Sequence, residues 1–232
     1  MSTNAAIPTL DATGQIPAYV ARPEAPPKGA IIVIQEVFGV NPGIVKKTDD
    51  WAAKGYLAVA PDVFWRQEPD VELDSDVPEE FKKAIALMMA HDFDRGLEDL
   101  KAVLAWIRKE VPGAKTGLVG FCMGGKISYQ MAARTDIEAA VGYYGVGIDA
   151  MVDEAANITG QLLLHVPTAD GFVSPEAQQA MHAGLDGNAH VTLYDYEGLD
   201  HGFADTFSSR RNEEGAQLAD KRTEEFFAKY VG

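Results

Sequence analysis

Thr116-Gly117-Leu118-Val119-Gly120-Phe121-Cys122-Met123-Gly124-Gly125-Lys126-Ile127 joins an apolar β-run to a helical one through a turn of the form small-x-nucleophile-x-small. This is the G-x-S-x-G nucleophile elbow with cysteine in the serine position. Such a turn is so tight that its central residue takes strained backbone, and bulky flanking side chains would strike the neighbouring strand and helix. The strain predicts a sulfur raised above a sheet at a helix N-terminus, where the dipole favours a thiolate. The backbone N–H of Met123 then faces the place where an oxyanion would form. Two other readings fit the same residues. A lone cysteine is commonly a buried, inert small hydrophobe. Gly120 to Lys126 also satisfies the G-x-x-x-x-G-K of a phosphate-binding loop, but the Ser or Thr that should hold Mg²⁺ is Ile127, and Ser128 comes one place late.

Outward from the elbow, short β-rich runs alternate with amphipathic helical ones. The strands are read at Ile16 to Arg22, Ala30 to Ile34, Leu57 to Ala60, Thr116 to Gly120, Ala139 to Tyr144, Gln161 to Val166 and Val191 to Tyr194. Helical patterns lie at Ile44 to Lys54, Glu79 to Ala90, Phe93 to Glu110, Gly125 to Arg134, Pro175 to Leu185 and Glu213 to Tyr230. The aliphatic run Ala30-Ile31-Ile32-Val33-Ile34 is that of a strand buried on both faces. Such alternation predicts an α/β fold with a mostly parallel, doubly wound sheet and helices on both faces. No repeat is visible. Ala25-Pro26-Pro27-Lys28 reads as a turn between strands, and the acidic stretch Gln67 to Glu80 as a long surface loop near a cleft. One domain over residues 1–232 is expected.

Composition bounds the function. The 232 residues carry 35 acidic against 20 basic side chains, a formal net charge of -15. That field repels phosphates, which argues against nucleic acid and anionic membranes as partners. It gives no help in attracting an acidic substrate. No apolar stretch approaches the roughly 18 to 20 residues of a membrane span, and the N-terminus lacks a basic, apolar leader. A single cysteine excludes an internal disulfide and agrees with the reducing cytoplasm.

An elbow nucleophile needs an acid and a base on later strand-end loops, in that order. The run Leu162 to Val166 opens into Pro167-Thr168-Ala169-Asp170-Gly171, which puts Asp170 at the carboxyl end of a buried strand. The next strand leads to Glu197-Gly198-Leu199-Asp200-His201-Gly202-Phe203, so His201 sits in a glycine-flanked loop. His201 is then the base, and Asp170 fixes its tautomer. Taken singly, Asp170 also suits a turn or helix cap, and His201 an exposed loop histidine. Of the other histidines, His165 lies inside an apolar run and reads as core. Ile31 to Ile34 leads directly into Gln35-Glu36-Val37-Phe38-Gly39. A carboxylate at that strand end, Glu36, would hold a neighbouring thiol in its protonated form, or it is a solvated loop carboxylate. The N–H of Val37 is the natural second oxyanion donor.

The chain resembles the dienelactone hydrolase family of the α/β-hydrolase fold. The resemblance rests on Gln35-Glu36-Val37-Phe38-Gly39-Val40-Asn41, Ala60-Pro61-Asp62, Gly120-Phe121-Cys122-Met123-Gly124-Gly125, Ala140-Val141-Gly142-Tyr143-Tyr144-Gly145 and His201-Gly202-Phe203-Ala204. It implies a Cys122–His201–Asp170 triad with Glu36 at the thiol, and hydrolysis of a lactone or activated ester through a thioester. It implies no metal or organic cofactor, a small-molecule substrate bound by Phe38, Phe81, Tyr144 and Asp205, and a monomer. One feature departs from the family. Members acting on dienelactone hold its carboxylate with arginines, one of them four residues after the catalytic histidine, and that position here is Asp205. The other falls near Phe81, leaving Arg95, Arg210 or Arg211 as substitutes. A carboxylate cannot clamp a carboxylate. Two rival functions stand beside hydrolysis. One is a redox-active thiol, for which no second cysteine is present to resolve a sulfenic acid. The other is a non-catalytic binding protein on the same fold.

Overall fold

Leu57-Ala58-Val59-Ala60-Pro61 and Ala30-Ile31-Ile32-Val33-Ile34 are buried at every position, as strands covered on both faces must be. A computed structural model describes residues 2–232. The chain forms two compact units, residues 2–116 with 231–232, and residues 117–230.

The first unit holds β1 (Ala5–Pro8), β2 (Gln15–Ala21), β3 (Ala30–Ile34), α1 (Pro42–Ala53), β4 (Leu57–Pro61), α2 (Pro78–Met89) and α3 (Phe93–Glu110). Its strands lie in the order β1-β2-β4-β3. β1 and β4 both run antiparallel to β2, and β3 runs parallel to β4. Asn41 caps α1 by accepting from the Ile44 N–H, with Pro42 in the first turn where its missing donor costs nothing. That helix buries Ile44, Thr48 and Trp51 over β2, β3 and β4. Of the acidic stretch Gln67 to Glu80 expected as a loop, residues 67–77 lie outside helix and 78–80 already belong to α2. The loop is held by an antiparallel bridge between Gly39 and Glu72 and by the Asp70 N–H bonded to Asp62 at 2.9 Å. Burial pushes the Asp62 carboxyl up to about 6.

The second unit comprises β5 (Thr116–Phe121, its first residue at the junction), α4 (Met123–Arg134), β6 (Ala139–Tyr143), β7 (Gln161–Pro167), α5 (Pro175–Leu185), β8 (Val191–Tyr196) and α6 (Glu213–Tyr230). These strands are parallel in sequential order. The period of two along each strand decides what each face meets. Ala140, Leu162, Leu164 and Val166 form one apolar cluster with Tyr129, Ala132 and Ala133 of α4 and Met181 and Leu185 of α5. Tyr143 and His165 point the other way, to Thr223 of α6. Helices therefore cover both faces, as the strand pattern predicts. A 3-10 helix at Asp149–Asn157, not foreseen from sequence, is tied to α4 by the Tyr129 hydroxyl on the Met151 carbonyl and by a bidentate Arg134–Glu154 pair.

One ion pair in this unit predicts a pH effect. His182 of α5 lies 3.1 Å from both Asp186 and Asp195, so it links α5 to the β8 edge. Partial burial works against its charge, but hydrogen bonds to the two carboxylates outweigh that, and its pKa is raised above 6.5. A raised folded-state value gives stability that is present below about pH 6.5 and fades as pH rises through the folded value. His182→Gln is accordingly expected to lower the melting temperature at pH 5.5 and to have little effect at pH 8.5. An equal loss at both pH values would rule out this linkage.

Candidate active site

The elbow is built on backbone strain. Cys122 stands between β5 and α4 with φ 54° and ψ -112°, a conformation that a side-chain-bearing residue rarely adopts. Three backbone bonds hold it there. The Cys122 N–H donates to the Tyr143 carbonyl at 3.0 Å, while the Cys122 carbonyl accepts from Gly125 and Lys126. Two glycines permit the turn. A Cβ at Gly120 would run into the Gly124 carbonyl, and one at Gly125 would lie 2.7 Å from the Tyr143 oxygen. Cys122 is half-buried rather than sealed in the core. Met123 is the first residue of α4, and N–H groups in a first helical turn have no acceptor within their own helix.

Asp170 and His201 meet as expected. The Asp170 carboxylate lies 2.9 Å (Oδ2) and 3.1 Å (Oδ1) from His201 Nδ1, and both residues are buried. Its Oδ1 also accepts from the N–H groups of Phe172 (2.8 Å) and Val173 (3.2 Å), which fixes the carboxylate plane. A carboxylate only accepts, so Nδ1 carries the proton and Nε2 is left with its lone pair. The two loops are pinned to each other. Thr168 donates to the Tyr196 carbonyl and Ala169 to the Leu199 carbonyl, and Asp200 Oδ1 accepts from Gly171 (2.9 Å) and His201 (2.7 Å). Those backbone donors, Gly171 first, hold the Asp200 carboxyl below its ordinary range.

Aromatic rings clamp the imidazole. Tyr144 lies 5.0 Å from it and Phe172 lies 4.8 Å away in an edge-on contact. Tyr144 has φ 40° and is 1% exposed, its ring also against Phe203 and Tyr143. Phe172, in contact with the His201 ring, is 53% exposed, and Phe207, six residues after His201 in sequence, is 66% exposed. Sequence reasoning did not single out Phe172 or Asp200. A large aromatic directly after Asp170-Gly171 was the available signal for the first. Asp205 is half-buried, its N–H on the Gly202 carbonyl. Arg211 is paired with Glu213 and bonded to the Ala204 carbonyl, whereas the Arg210 guanidinium lies 5.9 Å from the Phe172 ring centre.

The remaining expected residues belong to the first unit. Glu36, Val37 and Phe38 follow β3 and are buried, with the preceding Gln35 accepting from the Val63 N–H. Phe38 meets Phe81 of α2 with ring centres 5.9 Å apart. Among the described residues, no cluster of three or more His, Cys, Asp or Glu could hold a metal ion, and no helix is long and apolar enough to cross a membrane.

The chain is similar to known proteins along almost its whole length. The profile of the dienelactone hydrolase family matches residues 16–231. A "Putative carboxymethylenebutenolidase" of Azospirillum brasilense is 42% identical over 99% of this chain and 100% of its own length. The carboxymethylenebutenolidase of Pseudomonas putida is 34% identical over 91% of this chain and 90% of its own. Among solved structures, a "Putative Dienelactone Hydrolase" from Klebsiella pneumoniae superposes with a TM-score of 0.82 at 29% identity, covering 98% of this chain and 100% of that one.

Proposed function

The chain belongs to the dienelactone hydrolase family, α/β-hydrolase-fold enzymes, and on that premise we propose that it hydrolyses a lactone or activated carboxylic ester through a thioester on Cys122. The observation that carries the reading is the Asp170–His201 pair, with Nδ1 committed to the acid and Nε2 left as a base, in the same unit as the strained Cys122. The family match runs through both units, which supports one functional domain.

In this mechanism the Cys122 thiol gives its proton to His201 Nε2, and the sulfur attacks the ester carbonyl. The oxyanion is received by the N–H of Met123 and, in this assignment, that of Val37. The tetrahedral adduct collapses as His201 returns the proton to the leaving oxygen, which remains attached to the acyl chain when the substrate is a lactone. A water then gives a proton to His201 and attacks the thioester, releasing the acid and restoring the thiol. Glu36 is assigned the task of keeping Cys122 protonated until substrate arrives, since a nearby carboxylate disfavours a thiolate. The charge of Asp205 and the engagement of Arg211 favour a neutral substrate over one with a carboxylate. Phe172, exposed and edge-on to the His201 ring, then supplies apolar surface for the acyl or alkoxy group.

The test is a substrate panel with the purified protein. Neutral lactones and activated esters are expected to be hydrolysed with kcat/KM at least about tenfold above that for dienelactone, since juxtaposed like charges are strongly unfavourable. Dienelactone as the best substrate would refute the role given to Asp205. No turnover of any ester would refute the function.

A further inference from the structure

Beneath the second unit's sheet, on the face covered by α6, lies a chain of polar side chains that the reaction does not use. The Tyr143 hydroxyl is 2.9 Å from Asp220 Oδ1 and 2.7 Å from Thr223 Oγ1. Thr223 Oγ1 is 2.9 Å from His165 Nε2, and His165 Nδ1 is 2.7 Å from the Tyr196 hydroxyl. Arg222 stacks its guanidinium near the Tyr194 and Tyr196 rings. Tyr143, His165, Tyr196 and Thr223 are all buried, and α6 contributes both Asp220 at the chain's end and Thr223 in its middle.

The proton count gives the chain one direction. Asp220 can only accept, so Tyr143 donates to it. The Tyr143 oxygen then accepts from Thr223, whose own oxygen must accept from His165 Nε2–H. His165 carries one proton in its neutral form, so Nδ1 accepts from Tyr196. Four donors serve four bonds with none left over. Burial keeps His165 neutral by lowering its pKa to about 3, and holds Tyr196 protonated by raising its pKa to about 12. Bonds aligned head to tail polarise one another.

The residues in this chain coincide with those that shape the candidate site through their backbones. The Tyr143 carbonyl receives the Cys122 N–H, and the His165 carbonyl receives the N–H of Tyr144, whose ring packs on His201. The Tyr196 carbonyl receives Thr168 N–H and Leu199 N–H, the stems of the Asp170 and His201 loops. Each of three adjacent strand ends thus has its side chain in the polar chain and its carbonyl in the site.

We propose that Thr223 is a positioning residue: by bridging Tyr143 and His165 it locks three strand ends in register and so holds Cys122, Asp170 and His201 in their mutual arrangement. The catalytic consequence rests on the hydrolase reading above, whereas the locking of the strand ends does not. Thr223→Val keeps the shape and removes the bridge, Thr223→Ser restores it, and Tyr196→Phe breaks the far end. Valine is expected to lower kcat for an activated ester by about tenfold or more, as misplacement of reacting groups does, with KM within about twofold of wild type. Amide hydrogen exchange at Tyr144 and Thr168 should become about tenfold faster. Serine should return both readouts to wild type, and Tyr196→Phe should reproduce the valine pattern. Unchanged exchange in folded Thr223→Val would overturn the proposal, as would faster exchange with unchanged kcat. If the wild type hydrolysed no ester, the function reading would fail, and the exchange measurement alone would decide whether the strand ends are locked.

Discussion

Cys122→Ala is expected to reduce ester turnover by on the order of a thousandfold or more, because no other group on the reaction path can form the acyl intermediate. The variant should remain folded, with melting temperature and circular dichroism close to wild type. The reason lies in the elbow itself: alanine keeps the Cβ that already tolerates φ 54°, and the three backbone bonds through Tyr143, Gly125 and Lys126 do not involve the sulfur. Cys122→Ser is the more discriminating change. A serine hydroxyl gives up its proton far less readily than a thiol, and the elbow keeps the same geometry for either. Most of the rate should therefore be lost in the serine variant too. Near-wild-type activity in either variant would remove Cys122 from the mechanism.

Asp170→Asn should have the second largest effect, and the hydrogen bonds dictate its direction. Oδ1 already accepts from the N–H groups of Phe172 and Val173, so an asparagine would keep its oxygen there and turn its NH₂ toward His201 Nδ1 in place of Oδ2. A donor facing Nδ1 forces the imidazole proton onto Nε2, the nitrogen that must act as base. We expect kcat to fall by up to about 10⁴-fold, the loss seen when a serine-protease triad acid is replaced by its amide, with a smaller change in KM. A thiol nucleophile depends less on its base than a hydroxyl does, which favours a smaller loss. Wild-type kcat in Asp170→Asn would show that the His201–Asp170 contact is structural only.

Much of this fold is legible because its signals are local. α3 and α5 follow from apolar periodicity, and the structure adds Asp92 and Ser174 as the caps at their starts. β3 announces itself as an aliphatic run, since a strand buried on both faces has no polar alternation. What was missed depends on partners distant in sequence. β1 exists through pairing with β2, and the 3-10 helix at Asp149–Asn157 through its contacts with Tyr129 and Arg134. Motif spacing picked out Cys122, Asp170 and His201 as candidates because strand-end position constrains each of them separately, and of these Asp170 and His201 are in direct contact. His165 was read as core and is buried, yet its partner Thr223 lies 58 residues away, so the polar chain could not be read from either neighbourhood. Tyr144 was read as a substrate contact. Its ring is 1% exposed and packs on His201, a placement set by the left-handed backbone that no local pattern announces.

The claim on which everything else turns is that Cys122 is acylated during turnover. Mixing the wild-type protein with an activated ester, quenching in acid within milliseconds and weighing the intact chain measures this directly, because acid preserves a thioester. A mass increase equal to the acyl group is expected, located on the peptide containing Cys122, absent from Cys122→Ala and removed by hydroxylamine. Turnover that leaves no adduct on that peptide, or an acyl group found on another residue and retained in Cys122→Ala, would contradict it.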